Sequence, residues 1–142
     1  MIQRIQSVWL GLATLAAFLT GKFSFFSGNI IGADNKTKAF SHLTATGNLF
    51  ILILTVALGA MSFIAVFLYK NRKLQLRIVL GALIISIINI ALYYFKAQKF
   101  VPGEGSYNIT ALLTLLVPIF LLLAAKGINS DQKLVKSLDR LR

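Results

Sequence analysis

A chain of 142 residues that is 57% hydrophobic and only 13% charged has too little polar surface for a water-soluble globule, and too little length for a membrane bundle plus a separate soluble domain. Its net charge of +11 does not point to nucleic acid, because the basic residues gather at the ends of apolar runs, where they act as orientation signals and contacts for anionic lipid headgroups. The absence of cysteine excludes disulfides, thiolate nucleophiles and cysteine metal sites.

The first apolar run covers residues 5–26. Arg4 marks one end, and the run is too long and its flank too weakly basic for a cleaved signal peptide, so we read it as a retained span. Ala13 and Ala17, four apart, form a small-residue stripe for close helix packing. Residues 27–46 are a polar loop with turn formers (Gly28, Asn29, Gly32, Asp34, Asn35) and room for a short hairpin around Asp34-Asn35 or an interfacial helix. The second span, 47–69, carries Thr55 and Gly59 as another close-approach pair.

Next comes Lys70-Asn71-Arg72-Lys73-Leu74-Gln75-Leu76-Arg77, with four positive charges and no negative one. A short basic turn between two apolar spans stays on the cytoplasmic side, which makes spans two and three an antiparallel pair and sets the side of every other segment by alternation. The third span is 78–95, with Ala82 and Ser86 as a small stripe and Ser86 and Asn89 on one face at mid-depth. Residues 96–108 form a second outer loop marked by Pro102-Gly103 and Gly105. The fourth span, 107–125, contains Pro118, which lacks an N–H and crowds the carbonyl of Thr114. The remaining residues, 126–142, read as a cytoplasmic tail with a short amphipathic helix from Asp131, its apolar stripe formed by Leu134, Val135, Leu138 and Leu141.

Alternation puts ten basic residues on the side of the termini and five (Lys22, Lys36, Lys38, Lys96, Lys99) on the other. Both termini are therefore expected in the cytoplasm. The start MIQRIQSVWL, the turn KNRKLQLR and the ending SDQKLVKSLDRLR together resemble a family of four-span inner-membrane proteins of the Bacteroidota, catalogued as domain-of-unknown-function family 4293. The ending departs from the family's pattern at Gln132, where an acid is usual, and at Leu138, where a small residue is. The resemblance implies an integral protein of the bacterial inner membrane and brings no activity, substrate or catalytic residue.

None of the four acids (Asp34, Glu104, Asp131, Asp139) lies inside a span, and no general acid–base pair is assignable. His42 with Asp34 or Glu104 is the one candidate constellation at the outer surface, for catalysis or a weak metal position, and a solvated loop histidine is its simpler reading. The only intramembrane polar seam is Ser86, Asn89 and Thr114, uncharged and more typical of helix–helix adhesion than of a conduit.

The expectation is thus an all-α integral membrane protein: a four-helix transmembrane bundle with a short C-terminal amphipathic helix. It needs no cofactor, metal or catalytic residue. Its basic cytoplasmic face (Lys70, Arg72, Lys73, Arg77, Lys133, Lys136, Arg140, Arg142) would contact anionic lipid, and either subunits of a membrane complex or a second copy of the chain. The leading function is an accessory or scaffold subunit; a small transporter or lipid-handling protein using the polar seam is the alternative.

Overall fold

The computed structural model describes residues 2–31 and 38–140, the side chains of residues 2–4, 136 and 138–140 excepted. Four α-helices dominate: α1 (Ile2–Lys22), α2 (Leu49–Phe67), α3 (Arg72–Ala97) and α4 (Thr110–Arg140). Three short strands, β1 (Phe26–Ile31), β2 (Lys38–Leu43) and β3 (Gly105–Tyr107), form one antiparallel sheet in the order β2-β1-β3.

The helices run alternately up and down in a closed ring, each packed on its two neighbours. Particular contacts set the directions. Gly21 of α1 lies against Thr55 of α2 and Gly59 against Phe18. Asn89 of α3 bonds Thr55, while Gly81 faces Met61. Arg72 of α3 reaches Asp131 of α4, and Gly127 of α4 faces Gln6 of α1.

The burial pattern is that of a bundle in lipid. Small side chains line the interior, with Ala13, Ala17, Ala65, Ala82 and Ala124 fully buried, while large apolar residues such as Phe63, Ile64, Ile84, Ile87 and Leu122 point outward. Water would penalise such an arrangement, whereas hydrocarbon favours it, because helix association in lipid rests on close packing of small residues. All three small-residue pairs, Ala13/Ala17, Thr55/Gly59 and Ala82/Ser86, are used inside this one bundle. Among the described residues, three helices are long and apolar enough to cross a membrane: Leu49–Lys70, Arg72–Ala97 and Thr110–Val135.

The expected all-α architecture needs correction at the sheet end. The apolar run 5–26 is not helical throughout. Helix α1 stops at Lys22, and Phe25 pairs its N–H with the Leu43 carbonyl (2.8 Å). The reason lies in the aromatic residues. Phe25 stacks on the fully buried Tyr93 (ring centroids 4.6 Å apart), and Phe26 meets Phe100 and Tyr107 edge-on, each at 5.0 Å. Extended backbone sends successive side chains to opposite faces, so one bundle cap accommodates both rings. The hairpin within 27–46 is present as β1 and β2, although its turn, with Asp34 and Asn35, lies outside the described residues. Strand β3 falls in what reads as a plain turn region. Glycine permits it: a Cβ on Gly28 would lie 2.8 Å from the Cα of its register partner Gly105.

At the opposite end, the eight-residue basic turn is shorter than expected. A single 3-10 turn, Leu68–Lys70, and Asn71 make the connection, and α3 starts at Arg72. Asn71 caps it, its side chain accepting from the Leu74 N–H (3.3 Å), which is the usual role of Asn at a helix start. Gln75, buried one turn in, donates to the Ala65 carbonyl (2.8 Å), one of the last carbonyls of α2 that the helix itself leaves unpaired.

The separate tail helix is likewise corrected. Helix α4 continues unbroken through Pro118 and past Ala125 to Arg140. Gly127 lies within it and admits the Gln6 side chain of α1, since a Cβ there would lie 2.8 Å from Gln6 Cγ. Thirty-one residues make a helix of about 46 Å, roughly 16 Å longer than the hydrocarbon it would cross. The segment read as a separate tail helix is thus the continuation of the span's own helix. Leu134 and Val135 of the anticipated stripe are exposed, while the side chains of Leu138 and Leu141 lie outside the described residues.

Candidate functional site

Three groups of residues carry the chemistry. The first is the end of the bundle opposite the sheet. Lys70, Lys73, Arg77, Lys126 and Lys133 are exposed there. Arg72 is half-buried, and its Nη1 donates to the Asp131 carbonyl (3.1 Å), tying the start of α3 to α4. Lys136 and Arg140 belong to α4, but their side chains, and Arg142 as a whole, lie outside the described residues. Asp131 is the one described acid at this end. It is 5% exposed, and its Oδ2 is buried without a hydrogen bond, as are the amide nitrogens of Gln6 and Gln132. Three buried polar atoms without a protein partner thus gather beside the exposed cations at this end.

The second group is the intramembrane seam. Asn89 is 3% exposed and donates from Nδ2 to Thr55 Oγ1 (3.1 Å), while Tyr93, one turn on, brings its hydroxyl near the same Thr55 without a well-formed bond. The Ser86 hydroxyl turns onto its own helix, donating to the Leu83 carbonyl (2.7 Å), and Thr114 is buried on α4. The bond across the helix interface therefore joins Asn89 to Thr55. Sequence reasoning had given Thr55 a packing role, and its hydroxyl, halfway along an apolar helix, was the available signal. Thr14, Thr20, Thr55 and Ser62 all donate to carbonyls of their own helices, which satisfies hydroxyls in a bundle without joining them into a chain.

The third group lies on the outward face of the sheet. His42 does not meet Glu104. Its Nδ1 is 2.9 Å from Ser27 Oγ, and its ring stands edge-on to Phe40. Asn108 Nδ2 donates to Ser27 Oγ (2.7 Å), and its further bond to the Ser24 carbonyl identifies that atom as nitrogen. Ser27 Oγ thus bridges Asn108 Nδ2 and His42 Nδ1, and the direction of its bond to the imidazole follows the histidine tautomer. Glu104 is taken by Lys38, in the one ion pair among the described residues, and by Asn29 Nδ2 (3.0 Å). Asp34 lies outside the described residues. No three His, Cys, Asp or Glu side chains converge among those described.

The bond from Lys38, then that from Asn29, holds the Glu104 carboxyl below its ordinary value of 4.5. A group whose folded value is depressed stabilises above the unfolded value, and that support disappears as pH falls through the folded one. Amide protection of β3 is therefore expected to be constant above about pH 4.5 and to decline below it. Glu104→Gln should flatten that acid-side decline, as read by hydrogen exchange. An unchanged decline in the variant would assign it to another group.

A helical ring that is apolar outside as well as inside, with small residues at its helix contacts and a capping sheet, defines the chain as a small helical membrane protein. Its family follows from the comparison with known families. The family model described as Domain of unknown function (DUF4293) matches residues 2–141, and the chain belongs to that family. No curated protein and no solved structure matches it.

Proposed function

We propose that the chain is a four-span protein of the bacterial inner membrane, with both termini in the cytoplasm, that serves as a non-enzymatic accessory or scaffold subunit through its basic end. The observation that carries this reading is the charge asymmetry there. Five described cations stand exposed, and the one described acid nearby is buried. Such a surface attracts anionic lipid and an acidic partner alike.

Helix α1 supplies the fourth span. Its outward face (Ile5, Val8, Leu12, Leu15, Leu19) is apolar at helical spacing, and its polar Gln6, Thr14 and Thr20 turn inward. The excess of basic residues at the end opposite the sheet favours that end as cytoplasmic.

A mild-detergent pull-down of the tagged chain tests the subunit reading. We expect a copurifying chain at near-equal stoichiometry, released when Lys70, Lys73, Arg77 and Lys133 are changed to glutamate. A lone protein, or a partner retained by that variant, would refute it.

A second reading, a small transporter or lipid-handling protein, draws on the unbonded Oδ1 of Asn89. As adhesion between α2 and α3, Asn89 contributes on the order of 0.6 kcal/mol. Asn89→Leu should therefore leave stability within about 1 kcal/mol of the parent and any flux untouched. A flux lost at normal protein abundance would instead support transport.

A further inference from the structure

A cavity of about 260 Å³ opens at the sheet end of the bundle, between the inward face of the β1–β2 hairpin, the start of α2 and the end of α3. Its apolar lining comes from Ile30, Leu43 and Phe100, and its polar lining includes Ser41, Asn48, Lys96 and Lys99. At just under the range of drug-sized sites, roughly 300–1,000 Å³, it suits a headgroup fragment and not a whole lipid.

The charge in this cavity is uncompensated. Among the described residues no carboxylate lines it. The nearby acid, Glu104, is held by Asn29 and Lys38, which the strand alternation puts on the opposite face of the hairpin from Ile30 and Ser41. His42 also borders the cavity, with its ring engaged by Phe40 and Ser27, so the lysines of the lining are Lys96 and Lys99. Lys96 in the last turn of α3 is also accounted for by the helix dipole. Lys99 is not, since it follows the C-cap Gln98.

Two further features favour an anion. Asn48, the N-cap of α2, makes no side-chain capping bond, so its amide remains available at the positive end of that helix. The surroundings also fix the depth. Leu49, Phe50, Tyr94 and Phe95 are strongly exposed beside the cavity, an apolar and aromatic rim of the kind found where hydrocarbon meets headgroups.

We propose that this cavity binds a phosphate ester, supplied by the headgroup of an anionic phospholipid in the leaflet facing the sheet. Lys96 and Lys99 take the phosphate oxygens, and Ser41 and Asn48 provide neutral donors. The site is at the opposite end from the basic surface proposed for partners and stands independently of that proposal.

The test is a titration of the full chain in detergent, followed through the backbone amide resonances of Ser41, Thr44 and Asn48. One arm uses short-chain phosphatidylglycerol and the other glycerol phosphate. Saturable shifts are expected, at lower concentration for the lipid. Lys96→Gln/Lys99→Gln should weaken them about tenfold or more, Lys96→Arg/Lys99→Arg should retain them, and Lys70→Gln/Lys73→Gln, which removes the same charge at the other end, should leave them unchanged. Tighter binding of glycerol phosphate than of the lipid would keep the site but overturn the lipid as its source. No saturable shift in either arm, or shifts indifferent to the Lys96/Lys99 change, would overturn the proposal.

Discussion

Changing Lys70, Lys73 and Arg77 together to glutamine should reduce the preference of the purified protein for anionic over zwitterionic phospholipid at its basic end by more than about a hundredfold. Each exposed Lys or Arg near an anionic surface contributes about 1 kcal/mol, so three contribute about 3 kcal/mol. Arg72 is left out by design, because its guanidinium is committed to the Asp131 carbonyl and its removal would confuse lipid contact with loss of the α3–α4 tie. The three chosen residues are exposed, so the variant should fold and melt like the parent. The check is competition between the two lipid classes in nanodiscs, with bound lipid counted by mass spectrometry. An unchanged preference would remove lipid as the occupant of this end and leave an acidic protein partner as its remaining rationale.

The largest stability effect is expected at the joint between sheet and bundle. Phe25→Ala should cost about 3–5 kcal/mol, the range for deleting a buried aromatic side chain. The Phe25 ring is 7% exposed, stacks on Tyr93 and meets Tyr107 edge-on at 5.8 Å. Its backbone is equally committed, donating to the Leu43 carbonyl and accepting from the Asn108 N–H (3.1 Å). Losing the ring therefore opens a cavity beneath all three strands at once. Hydrogen exchange should show β1, β2 and β3 losing protection together while the middle of α2 and α3 stays protected. Phe25→Leu, which refills part of the space, should cost markedly less. A loss under about 1 kcal/mol for the alanine variant, the size of an ordinary substitution, would mean that the sheet does not depend on this contact.

The helices were legible because each long apolar run is bounded by Lys, Arg, Gly or Pro, and a span in lipid must be helical to satisfy its own backbone. The extent of the helices was less legible. Hydropathy reports where a chain sits and not where its helix ends, so the basic stretch from Arg72 to Arg77 read as a turn although it forms the first turns of α3. Asn71, a cap residue just before it, was the missed signal. The same confusion split α4, since the polar residues from Lys126 onward mark where the apolar span ends and not where its helix does.

The sheet was hardest to foresee. Phe23, Phe25 and Phe26 extend an apolar run, and only the alternation from Phe26 to Ile30 hints at extended chain. Strand β3 is three residues long and exists through pairing with a segment almost eighty positions earlier. Of the candidate site, the basic residues were visible as charge. The partner of Asn89 and the cavity beside Lys96 and Lys99 depend on which helices become neighbours, which composition does not encode.

The central claim, four spans with the basic end in the cytoplasm, is tested most directly by sidedness in intact cells. The chain has no cysteine, so Ser106→Cys in β3 and Ser137→Cys near the end of α4, both exposed, each supply a single label position; an N-terminal epitope tag adds a third. An impermeant thiol reagent should label Ser106→Cys from outside and reach Ser137→Cys only after permeabilisation, with the tag protected from external protease until then. Labelling of Ser137→Cys from outside would invert the orientation, and an N-terminal tag cleaved in intact cells that leave Ser137→Cys unlabelled would remove α1 from the spans.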